Sequence, residues 1–322
     1  MNMQLAIDNR QVTEFTNLTL TRSLYSLCGQ FDFLIESPKY ENLISYGKKV
    51  QVYVKDTLMM TGVVEVIRPS EDSDSYSLQV GGRDLTRNIV KSSAVTKNQE
   101  LLNTSFKSLV TKLVKDKVIF NTSRDKTYKK ISLNNQSVFT ILRTYAEKLG
   151  LLMTTNPDGV ILIEDLGTNS VKRKLVYGQD FYRYNLDINL SERYSKYIVK
   201  GKNSKTHTQV FGEALDSVPN DGSVLVINKT NISAEDAQNT ARFQAALRAS
   251  QSFSASITIN GFKDVFQLND TVYLDIPQRG VRSEMLVNDF TYDFASNSLN
   301  LGFVLPDVYK LIPEITSGGI EI

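Results

Sequence analysis

The chain has 322 residues, 41% hydrophobic and 22% charged, with a net charge of +2 at pH 7. That length fits two or three folded units, and the balanced charge gives no overall attraction to nucleic acid or anionic membrane. No apolar run reaches the ~18 residues of a membrane span, the N-terminus MNMQLAIDNRQ has neither region of a secretory signal, and a single cysteine, Cys28, excludes an internal disulfide and fits synthesis in a reducing compartment.

The first 95 residues read as strands. "NLTLTRSL" and "GQFDFLIE" alternate, and in "VQVYV" the residues Val50, Val52 and Val54 take the period of a strand with one buried face. Lys55, Asp56 and Thr57 make a turn, "LMMTGVVEVI" returns with Gly62 as a bulge candidate, and "SEDSDS" turns again into "YSLQV". This is enough antiparallel strand for a small barrel.

The middle changes character. "SFKSLVTKLVKDK" places Phe106, Leu109, Val110, Leu113 and Val114 on one helical face with lysines opposite, and "SVFTILRTYAEKLG" is a second amphipathic helix with Gly150 at C′. "LLMTTNPDGVILIED" reads as a hairpin turned by Pro157 and Gly159. In the last third, an Ala-rich helix over 233–252 opens on Ser233 with Asp236 three residues on, an approximate capping box, and three further strand segments follow. The expected units are therefore a first barrel at 1–95, an α/β insert at 96–184, and a second barrel at 185–322 that carries the Ala-rich helix and a short C-terminal tail.

The second barrel is expected because the first repeats. Val52-Tyr53-Val54 matches Val272-Tyr273-Leu274, and Leu78-Gln79-Val80-Gly81 matches Leu299-Asn300-Leu301-Gly302, in the same order and at nearly the same spacing. The anchors Val52, Val54, Leu78 and Val80 thus pair with Val272, Leu274, Leu299 and Leu301 as one duplicated meander.

Candidates for chemistry are few. "VGGRDLTRN" offers Gly81, Gly82, Arg83 and Asp84 as a glycine loop feeding a helix, but neither phosphate-loop nor dinucleotide spacing is present. Its expected role is a backbone corner, with the glycines bending the chain and Asp84 capping a short helix. His207 is the only histidine, which excludes a triad or multi-histidine metal site within one chain. Cys28 reads as a small core residue. Glu71, Asp72 and Asp74 lack the glycine and glutamate of a calcium loop. Lys107, Lys112, Lys115, Lys117, Lys126, Lys129 and Lys130 read as a charged outer face. No catalytic, cofactor-binding or metal-binding residue is expected, and the protein is read as a non-enzyme.

The succession "VQVYVKDTLMMTGVVEVI…YSLQVGGRDLTRNIVKSSA" resembles the N-terminal barrel of phage Mu-type baseplate hub proteins, in the late control gene D superfamily. The likeness continues through "QSVFTILRTYAEKLGLLMTTNPDGVILI", "ERYSKYIVKGKN" and "LNDTVYLDI…MLVNDFTYDF…SLNLGFVLPDVY". Where relatives often carry Trp and Gly before the last strands, this chain has Phe266, Leu268 and Asn269. The resemblance implies a mainly β fold with an α+β insert and two tandem barrels, in a pseudo-six-fold homotrimer similar to the central hub of T-even phages and the hub part of type VI secretion spikes. It implies a virion component made in the bacterial cytoplasm, with no membrane insertion. Its implied partners are its own copies, the tail tube or a tube-like adaptor, the central spike and the baseplate wedges, with DNA passing transiently. The other readings are a tail-associated peptidoglycan hydrolase and a distal tail or carbohydrate-binding tail-tip protein.

Overall fold

Seven strands take up the first part of the chain in the computed structural model: β1 (Met3–Ile7), β2 (Arg10–Val12), β3 (Thr16–Ser23), β4 (Ser26–Ile35), β5 (Lys49–Val54), β6 (Thr57–Glu71) and β7 (Tyr76–Asp84). The structure describes residues 3–306 except 97–98, 116, 150, 166–170, 204–206 and 231, so Gly150 and the C-terminal tail from 307 lie outside the described residues. Val50, Val52 and Val54 are buried, while the alternate β5 positions are not, as the two-residue period requires.

After β7 come α1 (Arg87–Lys91), inside the 1–95 expected for the first unit, and then, within the 96–184 expected for the insert, β8 (Glu100–Ser105), α2 (Phe106–Leu113), β9 (Val118–Asn121), β10 (Thr127–Ser132), α3 (Val138–Glu147), β11 (Leu151–Thr155) and β12 (Ile161–Asp165). Ser105 and Ser137 cap α2 and α3, each hydroxyl accepting the N–H three residues on. Phe106, Leu109 and Val110 of α2, with Ile141 and Leu142 of α3, bury against Ile131, Ile161 and Ile163 as a separate core. The β11–β12 hairpin docks on the strands, where the Pro157 carbonyl accepts the Thr61 N–H at 2.7 Å.

Beyond the insert come β13 (Val171–Val176), β14 (Arg183–Ile188), β15 (Lys196–Lys202), β16 (Gln209–Leu215), β17 (Val224–Thr230), α4 (Ala234–Gln251), β18 (Phe253–Asn260), β19 (Thr271–Ile276), β20 (Val281–Asp293) and β21 (Ser298–Val304). The Ser233 hydroxyl accepts the Asp236 N–H at 3.0 Å and donates to its carboxylate at 2.8 Å, which starts α4. Ala237, Ala241 and Ala245 let α4 lie close on the three-stranded sheet β16-β15-β17, against Tyr197, Val199 and Ala214. The second strand-rich region therefore contains a small α/β layer of its own. Strand β13, within 96–184, pairs with β19 in the large sheet.

The large sheet has thirteen strands, ordered β14-β18-β21-β20-β3-β4-β7-β6-β5-β1-β2, with β13 and β19 beside β20. Two tandem barrels, each closed or nearly closed, were expected. Among the described residues the pairing closes neither, because β20 engages β3 and ties the two halves into one open path. One core cluster accordingly runs through both halves.

The halves share a strand order. The first reads β1-β5-β6-β7-β4-β3 and the second β13-β19-β20-β21-β18-β14, with members taken in the same chain order. They differ in that β1 meets β5 antiparallel and β13 meets β19 parallel. The register repeats as well. β6 is bulged between Val64 and Val66, opposite Gly82 and Gly81, and β20 is bulged between Val287 and Asp289, opposite Phe303 and Gly302. Before each bulge one pair of main-chain bonds recurs: Val64 N–H to Lys48 O and Gly47 N–H to Val64 O in the first half, Val287 N–H to Asp270 O and Asn269 N–H to Val287 O in the second. Gly47 (φ 81°) and Asn269 (φ 69°) are both left-handed there, a conformation that glycine adopts freely and asparagine tolerates. Large and small residues have changed places between the halves. Phe31 opposes Gly82 in the first, and Ala255 opposes Phe303 in the second.

Candidate functional site: the glycine strand and the buried arginine

The "GGRD" residues lie within strand β7, not in a turn. Neither Gly81 nor Gly82 has a positive φ, and the corner expected of them is absent. Gly82 is needed for space. A Cβ there would collide with the Val63 carbonyl and the Phe31 ring, whereas one at Gly81 would meet the Asp32 carboxylate at 3.1 Å. The sharp feature is the bulge opposite, which leaves Glu65 as the extra residue of β6. Its carboxylate accepts both ends of the Arg83 fork, at 2.6 and 3.0 Å, and Arg87 Nε stands 3.3 Å away. The Arg83 hydrogen bond holds the Glu65 carboxyl below its ordinary pKa. Arg83 is thus committed to an ion pair that braces the bulge.

Asp84 was expected to cap a helix. Helix α1 begins only at Arg87, behind Thr86, and has no side-chain cap. Asp84 instead turns inward, 2% exposed, and organises a buried polar cluster. It accepts the Gly29 N–H at 2.8 Å, the Thr86 N–H at 2.9 Å and the Thr86 hydroxyl at 2.5 Å. Beside it lies Arg22, 5% exposed, whose Nη2 donates to the carbonyl and hydroxyl of Thr155 on β11. The Thr155 hydroxyl in turn approaches Asp84 at 3.4 Å. Burial pushes the Arg22 pKa down, and the negative charge of Asp84 opposes that. The cluster fastens three pieces: β3 through Arg22, β7 through Asp84, and the insert through Thr155. Sequence reasoning missed Arg22. Its signal was phase, since Leu18, Leu20, Arg22 and Leu24 share one face of an alternating strand and all four are buried.

Cys28 is buried beside the same carboxylate, and burial with the Asp84 charge pushes its thiol up to about 12. Since the thiolate is the nucleophile, Cys28 is expected to resist iodoacetamide at pH 8 in the folded protein and to react in denaturant. Mass spectrometry checks this by the added carbamidomethyl group.

The anchors Val52, Val54, Leu78, Val80, Val272, Leu274, Leu299 and Leu301 are all buried on the inner faces of β5, β7, β19 and β21. His207 is exposed, at φ 53°. The Asp72 carboxylate accepts the N–H groups of Asp74 and Ser75 at the β6–β7 hairpin tip. Among the described residues no three His, Cys, Asp or Glu side chains stand together as a metal would require. What this arrangement can do is hold strands and layers in register.

Known proteins share this plan. Residues 2–84 match the family described as Mu phage baseplate assembly protein GpP-like, N-terminal. The chain is 24% identical over 313 residues to baseplate hub protein gp44 of Escherichia phage Mu, covering 89% of this chain and 82% of gp44. Its fold is similar to that of the 43 kDa tail protein of prophage MuSo2 from Shewanella oneidensis, with TM-score 0.84, 21% identity, and coverage of 96% and 99% of the two chains. It is also similar to the tail protein from Neisseria meningitidis MC58, with TM-score 0.81, 16% identity, and coverage of 96% and 97%. Residues 2–84 thus match a Mu phage baseplate GpP-like N-terminal domain, and the chain is similar over nearly its whole length to a baseplate hub protein of phage Mu and, in fold, to tail proteins.

Proposed function

We propose that the protein is the structural hub of a phage or phage-like tail baseplate, a homotrimer that adapts the six-fold tail tube to the three-fold central spike around the DNA exit channel. The observation that carries this reading is the duplicated strand order with its repeated bulge. A trimer of single units offers three equivalent sites to a six-fold neighbour, whereas three chains with two similar units each offer six. The insert at 85–165 and the α/β layer at 189–252 both leave the strands through connections between them, and we assign them to the periphery, where baseplate wedges would meet them. DNA passing the channel calls for a solvated, polar lining without base-reading side chains, because transit needs weak contacts independent of sequence.

In light scattering the protein is expected to show three times the 36.2 kDa of the chain. Electron micrographs of the particle should show a ring of six lobes around an open centre. A monomer at micromolar concentration would overturn the hub reading. Clearing of peptidoglycan by the purified protein would favour the hydrolase instead.

A further inference from the structure

The sheet that joins the two halves ends on unequal edges. Within the chain, β3 of the first half pairs with β20 of the second, Phe290 opposite Arg22 and Thr291 opposite Thr21. The counterpart of β3 is β14, because Thr19 of β3 and Asn185 of β14 stand opposite Asp32 and Ser256, which in turn face the matched glycines Gly81 and Gly302. Leu18–Leu24 therefore correspond to Tyr184–Leu190. By the shared bulge, Asp289–Phe294 of the second half correspond to Val66–Glu71 of the first.

One seam is made and its counterpart is not. Among the described residues β14 pairs only with β18, and β5 leaves β6 at Val64, so that the far half of β6 pairs only with β7. Exposure follows the missing partner. Leu24 is 5% exposed and its counterpart Leu190 is 38%, while Arg22 is 5% and Ile188 is 47%. Tyr292 is buried and its counterpart Pro69 is exposed.

We propose that a second copy of the chain completes this seam, β14 of one copy adding antiparallel to the open edge of β6 in the next. The in-chain seam supplies the register. The bonds Leu24 N–H to Asn288 O and Phe294 N–H to Leu18 O mark Phe290–Arg22 and Tyr292–Leu20 as hydrogen-bonded pairs. Transferred, Ile67 faces Ile188, Pro69 faces Leu186 and Glu71 faces Tyr184. Between them Arg68 lies opposite Asp187, an ion pair in the place where the Thr21 and Thr291 hydroxyls meet at 3.1 Å within the chain. Pro69 supplies no N–H, so one bond of the ladder is missing, and the proline restricts the edge to a partner that tolerates the gap. Ile188 and Leu190 lose their exposure as the counterparts Arg22 and Leu24 have done. The contact joins unlike edges, so each copy presents one edge and accepts the other, which is the head-to-tail contact that a closed trimeric ring requires.

This inference deepens the hub reading and rests on it, and the test separates the two. Arg68→Cys and Asp187→Cys, both at exposed positions, are combined in the full chain and oxidised. Directly opposed residues of a non-hydrogen-bonded pair lie near disulfide distance, so covalent dimers and trimers are expected on a non-reducing gel and should vanish with reductant. The slipped pair Arg68→Cys with Asn185→Cys is expected to cross-link far less. A trimer by light scattering that fails to cross-link, or that cross-links equally in the slipped variant, overturns the strand pairing and leaves the hub reading standing. A monomer overturns both.

Discussion

Replacing Gly82 by valine is expected to cost roughly 3 kcal/mol or more and to leave little folded protein at 37 °C. The reason is space. Gly82 sits in the middle of β7, paired with Phe31 on one side and Val64 on the other, and a side chain there would drive into the Val63 carbonyl and the Phe31 ring together. The carbonyl belongs to the backbone of a paired strand and cannot swing away. At Gly81 the nearest atom is a carboxylate oxygen of Asp32 at 3.1 Å, on a side chain that can turn. Gly81→Ala is accordingly expected to lose about 1 kcal/mol or less. Urea midpoints of the two variants, read against the parent, test the contrast. Equal losses at both positions would show that the constraint is not this close approach.

The second large effect is expected at Asp84. Changing it to alanine strips the acceptor from the Gly29 and Thr86 N–H groups and leaves the buried Arg22 without its neighbouring negative charge. A buried N–H left without its acceptor costs about 1–3 kcal/mol, and the uncompensated charge of the nearby Arg22 adds to that loss. Replacing Arg22 and Asp84 together with leucine is expected to recover part of that loss, since the desolvation of two charges disappears with them. A urea-denaturation cycle over the two single variants and the double gives the coupling. Additive losses would mean that the two residues do not act as a unit. Hydrogen exchange offers a further reading: the Asp84→Ala protein should expose amides of β11 first, because Thr155 is the insert's link to the cluster.

These two sites mark how far the sequence could be read. Strands, helices and the β11–β12 hairpin were legible because alternation and helical spacing are local, and the repeat was legible in part: Leu78–Gly81 and Leu299–Gly302 stand in register beside a shared bulge, whereas the Val52–Val272 match is two residues out, since Lys48 and Asp270 hold the same place and Val50 therefore answers Val272 and Val52 answers Leu274. Barrel closure was not legible. It depends on which strand edges meet, and the same alternation in β3 serves whether its partner is β1 or, as found, β20. The corner was read as a bend because two adjacent glycines usually serve one, whereas here the ring of Phe31 occupies the room that Gly82 leaves. Arg22 was hidden by its residue type. Arginine on the buried face of an alternating strand breaks the pattern, and its partners Asp84 and Thr155 are 62 and 133 residues away in the chain, which no local window spans.

The exchange of large for small between Phe31–Gly82 and Ala255–Phe303 limits how such a gene can change. A strand copied from one half into the other by recombination would either set two phenylalanine rings against each other or leave alanine facing glycine across a hole. Each half can drift only by paired substitutions on neighbouring strands, and single steps pass through a damaged intermediate. Two halves with one strand order are thereby held to different side chains at this place, and exchanging a strand between them would break the packing of the sheet they share.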